Sequence, residues 1–249
     1  MWLFFKREIL WFLQVNQLKI VGLSLLLILT VIVDVLNTKN GSGTIADAFL
    51  GFLQQENRTD NPIASNLNWI IIQSLPVFLF GSYFYTELFM LEEFVTIRFN
   101  NRKLAYFSKI LLIITVMLVY YLTFFGLVIL VSFLYGITFN LQPVLLYEGL
   151  NLSLFQIGFC FFVGGIVLIS MQLLLSVIIK PFFAIIVALV MIIINCFVTN
   201  YWIIGSTSNI AKFVDVNNWF VISIQLIYLL LATIIGVIIY QKTDLYKLN

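Results

Sequence analysis

Six long apolar runs fill most of this chain, and they dictate what it can become. They span residues 18–36, 63–86, 110–135, 152–179, 182–199 and 219–240. A helix needs about 20 apolar residues to cross the hydrocarbon core of a bilayer. Apolar residues make up 62% of the 249 and charged residues only 10%. Soluble domains carry about 25% charged residues. A water-soluble core of this size could not hide so much apolar surface, so the sequence predicts an all-α membrane protein of six transmembrane helices. The fourth and fifth runs are separated only by Lys180 and Pro181. Proline stops a helix at about the preceding residue, and lysine can reach the interface, so a tight turn is expected there.

Lysine and arginine orient the spans. With the N-terminus inside, ten of the 13 basic residues fall on the cytoplasmic side, and Lys39, Arg58 and Lys212 fall outside. Both termini are then cytoplasmic. Residues 1–17 read as a helix lying in the inner interface: Lys6, Arg7, Gln14 and Gln17 share one arc, although Glu8 falls on the wrong face. The external connections are 37–62, polar with a short helix near residues 45–53, and 200–218, where a Gly-Ser-Thr-Ser break divides two half-apolar pieces. The whole chain reads as one transmembrane domain.

Several chemistries are absent. The chain has no histidine, which removes H-E-x-x-H zinc sites and Ser-His nucleophiles. No G-x-x-x-x-G-K-[ST] cradle occurs, so the chain is not expected to be an enzyme or to hydrolyse ATP itself. Cys160 and Cys196 sit deep in apolar runs and read as small buried hydrophobes. No metal site is expected. Asp34 and Glu87 lie near span ends and no acidic residue lies mid-span, so ion-coupled transport lacks its usual carboxylate. Polar side chains within spans, Gln73, Ser74 and Asn195 among them, are candidates for a substrate pathway or for contacts between helices. Ala184/Ala188 and Ala232/Gly236 are small pairs that let helices approach. Gly164-Gly165 could loosen the fourth run, and Pro76 could kink the second.

The densest charge lies in LFMLEEFVTIRFNNRKLAYFSK, residues 88–109, on the cytoplasmic face. As a helix, it would turn Leu88, Leu91, Val95 and Phe99 to the membrane and Glu92 and Thr96 to the cytosol. Its basic half is an inside anchor. Its acidic pair, Glu92-Glu93, suits docking to a soluble partner by charge.

In this layout, and in the run of acidic pair, apolar helix, Asn101-Arg102-Lys103 and Ser108-Lys109, the chain resembles the membrane subunit of ABC-2-type transporters. Its size and composition are similar to Gram-positive peptide exporters, such as the phenol-soluble modulin exporter, and to lantibiotic immunity permeases. The resemblance implies a bacterial cell-membrane protein working with two copies of an ABC ATPase and a second or related permease. ATP and Mg would act in the partner ATPase, with no cofactor in this chain. It also implies that residues 88–103 form the coupling helix, with Leu91, Glu92, Glu93, Phe94, Val95, Thr96, Arg98 and Arg102 at the contact. The expected cargo is a hydrophobic or amphipathic peptide, and no nucleic acid is involved. The alternative is an immunity or sensory membrane protein that binds a toxin peptide without moving it.

Overall fold

The structure is a computed structural model that describes residues 2–41, 43–51, 63, 66–90, 102–140, 154–198, 200–208 and 218–242. Among these, the fold is all helical. The helices are α1 (Trp2–Asn40), α2 (Ile45–Gly51), α3 (Leu67–Met90), α4 (Arg102–Leu134), α5 (Leu154–Ile178), α6 (Pro181–Phe197) and α7 (Asn218–Lys242). A 3₁₀ turn, Ser206–Ser208, lies between α6 and α7. Five stretches are long and apolar enough to cross a membrane: Phe5–Asn40, Leu67–Leu88, Arg102–Leu134, Gly158–Ile178 and Trp219–Lys242. This fits a multi-pass membrane protein. The sixth expected span folds as α6, whose 17 residues fall short of that length.

The N-terminal stretch departs from expectation. Residues 1–17 were expected to form a separate interfacial helix, yet α1 runs unbroken through this region from Trp2 to Asn40. No proline or glycine interrupts it before Gly22. Lys6, Gln14 and Gln17 are exposed, but Asn16 and Glu8 in the same stretch are held by protein. Asn16 donates to the Phe12 carbonyl at 3.1 Å and accepts from Ser82 of α3 at 2.7 Å. Glu8 is fully buried. At 39 residues α1 is about 58 Å long, nearly twice the hydrocarbon thickness.

The turn between the fourth and fifth runs forms as expected. α5 ends at Ile178, Lys180 caps α6, and Pro181 occupies its first turn, where a missing N–H costs nothing. α4 starts at Arg102, eight residues before the expected span, because nothing in 102–109 breaks a helix. It ends in a left-handed Gly136 (φ 70°), with Ile137 N donating to Ser132 O at 3.0 Å. That closure satisfies the last carbonyls of the helix. The short helix foreseen near 45–53 is α2. Thr44 caps it, and Asp47 reaches back to the Thr44 N–H at 2.7 Å. Ile45 N then donates to Thr138 O at 3.3 Å, pinning α2 to the end of α4.

α5 is the central column and touches α3, α4, α6, α7 and the 3₁₀ turn. Of its apolar stretch 78% is buried inside the protein, against 22% for α1 at the periphery. Gly164-Gly165 are what permit this. A Cβ on Gly165 would lie 2.5 Å from Met117 and from the Tyr121 hydroxyl of α4. One on Gly164 would lie 2.7 Å from Thr207 Oγ1. The glycine pair, expected to loosen this helix, instead lets α4 and the 3₁₀ turn close on it. Gly165→Leu should therefore cost about 1–3 kcal/mol through overpacking. Gly126→Leu, where a Cβ meets nothing within 4 Å, should change little. Thermal unfolding of both variants in detergent checks this.

Candidate functional site

Three elements bring ionisable side chains to one end of the bundle. Glu8 comes from the start of α1, Glu87 from the last turn of α3, and Lys109 from two turns into α4. All three are buried, at 0%, 5% and 1% exposure. The Lys109 ammonium lies 3.0 Å from Glu87 Oε1 and 3.7 Å from Glu8 Oε2. Arg7, one-third exposed, pairs with Glu8 and lies 3.4 Å from Glu87 Oε1. The Tyr83 hydroxyl donates to Glu8 Oε2, and Lys109 Nζ sits 5.7 Å from the centre of the Tyr83 ring. Two carboxylates face two cations, so the set is neutral only when complete. Buried charge is tolerated on that condition, since removal of one partner leaves a desolvated charge uncompensated.

The position of this cluster matters more than its charge. Glu87 lies three residues before the end of α3, and Lys109 seven residues after the start of α4. Their ion pair clamps together the two helices that enter and leave residues 91–101. Arg102 adds a bond to the Gln241 carbonyl of α7 at 3.4 Å. Tyr106 packs its ring on Tyr240 at 5.7 Å and its hydroxyl over Gly236. That explains the small pair Ala232/Gly236: a side chain at 236 would occupy the tyrosine's place.

The other end of the bundle has a smaller anchor. Asn68 of α3 donates to Asp34 Oδ1 of α1 at 3.1 Å, with Asp34 6% exposed and Gly51 of α2 packed against its carboxylate. Along α3, Asn68 to Glu87 covers about 28 Å of helix, close to the hydrocarbon thickness of about 30 Å. Between these anchors α1, α3 and α4 enclose an apolar cavity of about 350 Å³.

Of the residues expected to contact a partner, Leu91, Glu92, Glu93, Phe94, Val95, Thr96 and Arg98 lie outside the described residues. Arg102 opens α4 as above. The pathway candidates make bonds within and between segments of the protein. Gln73 accepts from the Tyr121 hydroxyl at 3.2 Å, Ser74 donates to Ile71 O at 2.9 Å, and Asn195 donates to Ile204 O at 2.9 Å. None of the three lines the apolar cavity.

Asn195 belongs to a second polar network that holds the expected external segment against the bundle. Gln225 of α7 accepts from Gly205 N and donates to Ile203 O, both at 2.9 Å. Trp69 Nε1 donates to Ser208 O at 2.7 Å. Residues 206–208 are buried, so this part of the expected external loop is a folded-in turn; 209–217 lie outside the described residues.

Sequence reasoning passed over Glu8 and Lys109 as site residues. The signal was there: Glu8 occupied the apolar side of its helix, and a carboxylate there needs a partner. Cys160 and Cys196 are free and buried. Among the described residues no group of three or more His, Cys, Asp or Glu could hold a metal. No protein-family model, curated protein or solved structure matches this chain.

Lys109→Met leaves two buried carboxylates sharing Arg7 alone and should cost about 3–5 kcal/mol. Adding Glu8→Gln and Glu87→Gln should recover most of that loss, because no unpaired buried charge then remains in α3 or α4. The thermal midpoints of the single and triple variants in detergent give the comparison.

Proposed function

We propose that this chain is the membrane-spanning subunit of an ATP-driven exporter of the ABC-2 type, and that its cargo is a hydrophobic or amphipathic peptide. The observation that carries this reading is the clamp at the foot of residues 91–101. A force applied to that connection by a soluble partner reaches α3 and α4 through Glu87 and Lys109. It reaches α1 through Glu8 and Arg7, and α7 through Arg102. A loop serving only as a topological anchor would not need its two flanks locked by buried ions.

The sequence supports the reading from another side. The chain has no nucleotide cradle and no histidine, and uphill movement would need energy from a partner. The ends of α1, α3, α4 and α7 that meet at the clamp carry Lys6, Arg7, Arg102, Lys103, Lys109 and Lys242. That end would face the cytoplasm of a bacterial cell by the positive-inside bias. A pair of ABC ATPase subunits would then dock at residues 88–103, with a second or related permease completing the assembly.

Glu92→Ala together with Glu93→Ala should leave the protein folded and membrane-inserted, but uncouple it from the ATPase. Copurification with an ATPase encoded beside it, and stimulation of that ATPase by this chain, should both fall severalfold. Intact binding and stimulation would sink the docking assignment. Full protection against a toxin peptide with a catalytically dead ATPase would instead favour a protein that binds without transport.

A further inference from the structure

The cavity between α1, α3 and α4 has a shape and a chemistry that specify an occupant. On α1 its lining runs from Ile9 to Leu27, about 27 Å of helix, so its 350 Å³ is long and narrow. A cavity of about 150 Å³ already holds one benzene. The walls are apolar: Phe12, Leu27, Leu75 and Leu79 are buried at 3–8% exposure. Three polar side chains on the α4 wall spend their donor protons on the protein, which leaves only Ser24 at the open rim with a free donor. Thr115 and Thr123 donate to their own helix, at 2.9 and 2.8 Å, and Tyr120 donates to the Ile72 carbonyl at 2.8 Å. An occupant rich in hydrogen-bonding groups would lose bonds to water and regain few here. A single hydrocarbon chain loses nothing.

The rim indicates where the chain comes from. Leu13 and Ser24, both lining the cavity, are exposed, so it opens sideways along α1, into the membrane. At 100° per residue, Leu13, Ile20 and Ser24 fall within about 40° of Lys6, and Lys6 extends the same stripe beyond the cavity's end. Lys6 is exposed, and among the described residues it makes no ion pair. The neighbouring cluster is already balanced, Glu8 and Glu87 against Arg7 and Lys109, and Lys6 is a cation without an ion pair on the cavity's own stripe of α1.

We infer that the cavity holds one acyl chain of an anionic phospholipid, with its phosphate at Lys6 and its chain between α1, α3 and α4. The lipid would belong to the leaflet on the side of the Glu8–Lys109 clamp. It would fill the gap between helices joined at both ends. This site does not depend on the transport reading.

The test uses the full chain in mild detergent with two probes, phosphatidylglycerol and phosphatidylcholine, each carrying a photoreactive diazirine halfway along one chain. Cross-links are mapped by mass spectrometry. The phosphatidylglycerol probe should label cavity residues of α1, α3 and α4 far above outward residues such as Leu29 and Leu230. Leu79→Trp should remove that labelling by filling the cavity. Leu13→Trp should do the same from the rim, should the first variant fail to fold. Leu26→Trp, on the outward face, should leave it intact. Lys6→Glu should lower the preference for phosphatidylglycerol over phosphatidylcholine about tenfold, the size expected for reversing one interfacial charge. Three results would overturn the inference. The first is equal labelling of cavity and outward residues. The second is equal labelling by the two probes in the unmodified chain. The third is protection of the cavity by an amphipathic peptide where excess phosphatidylglycerol gives none.

Discussion

Lys109 sits between two carboxylates with almost no access to solvent, and no other group in the bundle depends so fully on its neighbours. Its charge is acceptable only while Glu8 and Glu87 are both in place, and theirs only while Lys109 and Arg7 are. Those residues come from α1, α3 and α4, so the three helices must assemble together or leave a desolvated charge behind. Hydrophobic burial cannot impose that order in a membrane, because lipid tails are as apolar as leucine. The ion cluster supplies the specificity that apolar packing lacks there. It selects which helices meet, at which depth and in which register.

The second anchor, Asp34–Asn68, turns this local constraint into a shape. Between the two anchors α1 uses 26 residues, from Glu8 to Asp34, about 39 Å of helix. α3 spans Asn68 to Glu87 in about 28 Å. The two paths differ by about 11 Å, and the long Arg7 and Lys109 side chains bridge the helices at the first anchor. The apolar cavity lies between the two anchors.

Features set by local chemistry were legible in the sequence. The all-helical class, the turn at Lys180-Pro181 and the short helix after GSGT follow from run length, proline and capping. Features set by contacts between distant segments were not. α1 was divided at residue 17 because Lys6, Gln14 and Gln17 marked a wet surface, while the partners that dry Glu8 and Asn16 come from α3 and α4. Gly164-Gly165 looked like a weak point because a single chain segment cannot reveal that Met117, Tyr121 and Thr207 press on it. The 200–208 segment reads as external by composition, yet Gln225, Trp69 and Asn195 supply bonds that let its backbone be buried. Irregular backbone at membrane depth is tolerable only with such partners.

α4 is the element through which these constraints act together. Near its start it carries Arg102, Tyr106 and Lys109, which engage α7, α7 again, and the α1–α3 pair. Further along, Tyr120 and Tyr121 bond to Ile72 and Gln73 of α3, and Met117 and Tyr121 press on Gly165 of α5. Its far end is closed by Gly136 and holds α2 through Thr138. A displacement entering at residue 102 therefore meets contacts at every level of α4, the cavity level included, where Tyr120 and Tyr121 hold α3. Only one face of α4, with Thr115, Val116, Val119 and Thr123, borders the cavity at that level.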